Sequence, residues 1–84
     1  MLFMITQVHT PETCPIDAGG SSVLSNSKAK GIKLQAMYGA YPQHIIWYVV
    51  EADSAEAVQE FLTPGFKRCT STITPISSVS IVKK

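Results

Sequence analysis

The chain has 84 residues, enough for one domain spanning 1–84 and only a modest core. Hydrophobic residues make up 45% and charged residues 15%, with seven Lys and Arg against six Asp and Glu for a formal net charge of +1. That balance argues against a nucleic-acid partner, which needs clustered positive charge, and a surface this poor in charge points to a homo-oligomer, a dimer or a larger ring.

Residues 2–9 (LFMITQVH) start apolar, then alternate, and are rich in β-formers; they read as a first strand. Residues 10–20 hold two prolines and a Gly pair and read as a loop. Residues 21–30 carry Val23, Leu24 and Ala29 among several Ser and an Asn, and are expected to form a short helix. Residues 32–41 read as a strand with Ile32, Leu34, Ala36, Tyr38 and Ala40 on one face and Lys33, Gln35 and Met37 on the other. After a tight turn at Pro42–Gln43, residues 44–52 (HIIWYVVEA) are β-branched and aromatic, as in a strand buried on both faces.

Asp53-Ser54-Ala55-Glu56 has the form of a capping box with Asp53 as the cap. Ala55, Val58, Phe61 and Leu62 follow at helical spacing, and Pro64–Gly65 ends the helix. Residues 67–76 and 78–83 are strand-like, with Pro75 marking an edge or a bend. The order is β-α-β-β-α-β, the split βαβ or ferredoxin-like unit of the α+β class. Right-handed crossovers then put strands one and three side by side, antiparallel, with both helices on one face and the other face bare.

The two cysteines are too few for a disulfide framework. The start MLFMITQVH lacks a basic n-region and a small-residue cleavage site, and the apolar run 45–50 is too short to cross a bilayer. A cytoplasmic protein with no membrane partner is the expectation. Lys28, Lys30 and Lys33, and the pair Lys83–Lys84, read as solvated.

The opening MLFMITQVHTP resembles the first strand of muconolactone-isomerase-like proteins. AEAVQEFL followed by PGF, and ITPI further on, are similar to that family's second helix and last strand. The stretch His9-Thr10-Pro11-Glu12-Thr13-Cys14-Pro15 resembles an H-T-P-E-x-C-P motif of small proteins in the same dimeric α+β barrel superfamily. The resemblance implies a ferredoxin-like antiparallel sheet packed face to face with a second one. Residues 21–30 are shorter and more polar than the helix such proteins carry, and Cys14 has no counterpart in the isomerase pattern, so isomerase activity is not transferred with the fold.

In an antiparallel pair, the end of strand one lies beside the start of strand three. That brings His9, His44 and Cys14 to one corner of the sheet, a candidate metal site for Zn, Cu or Fe, with haem as a further cofactor. Glu12 or Cys69 is a candidate fourth ligand, or the position stays open to water or a ligand. The spacing His-x₄-Cys is not that of a zinc finger, and the plain alternative is two strand-end histidines capped by backbone or water. Cys14 is also a candidate catalytic thiol, activated by His9, whereas Cys69 reads as apolar filler. Tyr38, Tyr41, Trp47 and Tyr48 are candidates to line an aromatic pocket, with Tyr41 and Trp47 assigned to hold a cofactor or small-molecule ligand; aromatics at strand positions serve equally as core or interface.

The leading expectation is thus a small oligomeric metal- or cofactor-binding protein with redox or oxygenase-like chemistry. Its rivals are a muconolactone-isomerase-like enzyme acting on a small organic acid and a structural or regulatory oligomeric module.

Overall fold

The computed structural model describes residues 1–77. Four strands, β1 (Leu2–His9), β2 (Ile32–Ala40), β3 (Ile45–Ala52) and β4 (Cys69–Ile76), form one sheet in the order β2-β3-β1-β4. All three pairings are antiparallel: β1 runs from Leu2↔Glu51 to Val8↔Ile45 against β3, and from Leu2↔Ile76 to His9↔Cys69 against β4. Among the described residues one α-helix, α1 (Ala55–Leu62), packs with the sheet in an α+β domain whose strand order is compatible with a ferredoxin-like arrangement. The strand expected over 78–83 and the Lys83–Lys84 pair lie outside the described residues.

The alternation of β1 and β3 fixes which face is covered. Phe3, Ile5, Gln7 and His9 are buried on β1, as are Ile46, Tyr48, Val50 and Ala52 on β3. Against this face α1 lays Ala57, Val58, Phe61 and Leu62, a stripe at helical spacing. Tyr48 and Phe61 meet edge to face, their ring centroids 5.3 Å apart. The helix cap is Ser54, not Asp53: the Ser54 hydroxyl accepts from the Ala57 N–H at 3.2 Å. The Asp53 N–H instead donates to the Gly31 carbonyl, tying the entry of β2 to the exit of β3.

No α-helix forms over residues 21–30. A single 3₁₀ turn, Ser21–Leu24, is followed by extended Ser25. Asn26 then turns the chain, its side chain accepting from the Lys28 N–H at 3.0 Å while its own N–H donates to the Phe61 carbonyl at 2.7 Å. Ser and Asn make such local bonds in competition with a helix ladder. The segment still does a helix's work of covering the sheet, because Leu24 and Ala29 are buried in the core. It is pinned from below by Gln7. This fully buried amide donates to the Leu24 carbonyl at 3.1 Å and accepts from the Tyr48 hydroxyl at 2.8 Å. Gly65 sits against the same junction, where a Cβ would stand 2.7 Å from the Leu24 carbonyl oxygen and 2.8 Å from Gln7 Nε2.

Two sequence expectations about faces change. A bulge between Leu34 and Ala36 breaks the register of β2 against β3. Ile32 and Leu34 pair with Ala52 and Val50 on the covered face, whereas Ala36, Tyr38 and Ala40 pair with Val49, Trp47 and Ile45 on the other. Met37, opposite Tyr48, thereby joins the covered face. Likewise β3 is not buried on both sides, since Ile45, Trp47, Val49 and Glu51 are only half-buried. Around them Met4, Val8 and Tyr38 are exposed, and no helix among the described residues covers this side. No helix among the described residues is long and apolar enough to cross a membrane.

Candidate metal centre

His9 is the last residue of β1, and His44 the residue before β3. A backbone hydrogen bond joins them, the His9 N–H donating to the His44 carbonyl at 3.0 Å. The 3₁₀ turn Tyr41–Gln43 delivers His44 in a left-handed conformation, φ 56° and ψ 46°, with its N–H bonded to the Tyr41 carbonyl. It is the one non-glycine residue with positive φ among the described residues. Such a backbone disfavours a side chain bearing a Cβ, and strain of this kind collects at functional positions. The imidazoles then meet edge to face, centroids 5.1 Å apart, with His44 Nδ1 3.3 Å from His9 Nε2.

Cys14 reaches the same corner from the loop that leaves β1. Pro11–Thr13 forms a 3₁₀ turn, closed by Thr13 N–H to the Thr10 carbonyl at 3.1 Å and Thr10 N–H to the Thr13 hydroxyl at 2.9 Å. That turn reverses the chain as it leaves β1 and returns Cys14 over His9. One donor atom from each of His9, Cys14 and His44 lies within 4.8 Å of the other two. These three residues form a group that could hold a metal ion.

The donor chemistry suits a transition metal. Imidazole and thiolate are the ligands that Zn, Cu and Fe favour. Two nitrogens each about 2.0–2.1 Å from a tetrahedral ion stand roughly 3.3 Å apart. The two histidine nitrogens already have that separation, although a hydrogen bond between neutral rings would produce it too. Burial, and secondly the neighbouring His44, push the pKa of His9 below its ordinary value, so the ring is held in the neutral form that can donate a lone pair. His9 is 8% exposed, and among the described residues its buried Nδ1 has no hydrogen-bond partner.

The other sequence candidates fall in different places. Cys69 is opposite His9 in the sheet but stands outside the three-residue group and packs against the core. Burial pushes its thiol pKa up, which suits a filler and not a thiolate ligand. Glu12 is exposed on the turn and also outside the group. Tyr48 lies in the core with its hydroxyl on Gln7. Trp47 sits on the uncovered face, away from this corner, between Thr6 of β1 and Tyr38 of β2.

Tyr41 and Tyr38 do reach the site. They line a cleft of about 350 Å³ whose wall includes His9, Cys14 and His44. Ile16 and Met37 also line it and had no signal in the sequence as site residues. Ile16 lies in a loop without periodicity, and Met37 is turned into place by the bulge in β2.

No curated protein and no solved structure matches this chain. A family model does, described as a domain of unknown function, DUF3303, and it spans residues 1–84. A match over the full length leaves no part of the fold or of the His–Cys–His corner outside the family's own domain, and the chain belongs to the DUF3303 family.

Proposed function

We propose that this domain binds one transition-metal ion, Zn, Cu or Fe, through His9, Cys14 and His44. The observation that carries the reading is the convergence of three donors from separate segments within 4.8 Å, on the wall of a cleft. Three protein ligands leave a tetrahedral ion one open position, the pattern of reactive rather than structural sites. Cys14 acts as the thiolate ligand, and a reducing compartment such as the cytoplasm keeps it available; both cysteines are free. A redox-active ion at this position would support redox or oxygenase-like chemistry on a small molecule.

The active form is a homodimer in which a second copy covers the open sheet face, giving two ferredoxin-like sheets packed as an α+β barrel. Met4, Val8, Ile45, Trp47 and Val49 share that face, and a net charge of +1 offers little repulsion between copies.

Elemental analysis of untagged protein purified under reducing conditions tests the metal. Near-stoichiometric Zn, Cu or Fe in the parent and none in the His9→Ala/His44→Ala variant is the expected result. A parent that stays metal-free after each ion is added back overturns the reading.

A further inference from the structure

The cleft beside the three donors has a lining chemistry of its own. Its volume, about 350 Å³, is near the lower end for small-molecule sites and suits a body of one or two rings. Pro15, Ile16, Met37, Tyr38 and Tyr41 surround the donors, and no Lys, Arg, Asp or Glu lines the cleft among the described residues. An acidic group carried away from the metal would lose its hydration there and meet no cationic side chain. Aromatic and thioether groups instead offer flat, polarisable contact to a ring. Because His9, Cys14 and His44 themselves form part of the wall, a molecule seated in the cleft is next to the open metal position.

We infer that the cleft receives a compact aromatic molecule, uncharged outside its donor, that ligates the metal through a single nitrogen or oxygen atom. This rests on the metal reading above and names the ligand class of the same site. The ring lies along the part of the wall that Met37 and Tyr41 contribute while the donor completes the coordination shell. Hiding about 60 Å² of apolar surface is enough for a tenfold gain in affinity.

The test uses protein loaded with Co(II), whose visible spectrum reports its ligands, titrated with three probes: imidazole, 4-phenylimidazole and imidazole-4-acetate. All carry the same donor ring; the second adds an apolar body and the third a charge. We expect 4-phenylimidazole to bind at least tenfold tighter than imidazole, and imidazole-4-acetate no tighter than imidazole. Met37→Ser should erase most of the phenyl advantage while leaving Co(II) loading as it was. Equal affinity for imidazole and 4-phenylimidazole, tightest binding of the acid, or an equal loss for both probes in Met37→Ser overturns the inference and leaves the metal site standing. Protein that takes up neither Co(II) nor any of Zn, Cu and Fe overturns both together.

Discussion

His44 combines a strained backbone with a chemically active side chain, and the two can be separated. Its left-handed conformation costs a non-glycine residue about 1–2 kcal/mol, and a histidine held there for packing alone would be replaceable by glycine at a gain. His44→Gly is therefore expected to hold or raise the melting temperature in the presence of a chelator and to abolish metal uptake. A large fall in the chelated melting temperature would show that the side chain serves stability instead. His9 makes a second prediction, through pH. Its folded-state pKa lies below the ordinary value of 6.5, so the unfolded chain binds the proton more readily. The contribution is fully present above about pH 6.5 and is lost as pH falls from there through the lowered folded value. Urea midpoints of the metal-free protein should drop between pH 7.5 and 5.5, and His9→Gln should flatten that slope. Neither property was written in the residues themselves: the sequence brings two histidines to one sheet corner, but the positive φ and the burial come from the turn and the core around them.

At the level of elements, strands were the most readable part of this chain. The β-branched runs in β1 and β3 announce themselves by composition, and their antiparallel pairing, which creates the His9–His44 contact, follows from the order of elements. Three features were not readable. The bulge in β2 inserts one residue and so swaps the faces of everything after it, a change that a period of two cannot register. The cap moved one residue, from Asp53 to Ser54, because either side chain is competent and only backbone geometry decides. Residues 21–30 became a strap instead of a helix because Gln7 and Tyr48, distant in sequence, supply its anchor. That anchor makes Gly65 sensitive. Gly65→Ala has to push apart the Leu24 carbonyl and the Gln7 amide, and a loss of about 1–3 kcal/mol in urea unfolding is expected. A loss below about 0.5 kcal/mol would mean that the strap shifts freely and is not held by this junction.

For the molecule as a whole, the proposed dimer accounts for a composition that the single chain does not. One side of the sheet is packed under α1 and the strap, while the other carries Met4, Val8, Ile45, Trp47 and Val49 in the open or half-buried. With only 15% charged residues there is little charged surface elsewhere to compensate. Val8→Lys, which places a charge on this face near the end of β1 without touching the core, is expected to convert the sedimenting species to a 9.1 kDa monomer. The parent's melting temperature should rise with protein concentration, and that of the variant should not. A parent that sediments as a monomer at all concentrations would leave the open face without its second copy.

The central position of β1 also shapes how the chain is made. β1 has strands on both sides, yet both follow it in sequence: β3 begins at Ile45 and β4 at Cys69. At a synthesis rate of about 5–20 residues per second, the ribosome needs roughly 2–7 s to add the 36 residues from His9 to Ile45, and longer to supply β4. Throughout that interval the apolar stretch LFMITQV has neither neighbour and is open to pairing with another nascent chain. Folding of this domain therefore waits for the synthesis of β4, and its yield in a cell depends on whatever shields that first strand while the rest of the sheet is being made.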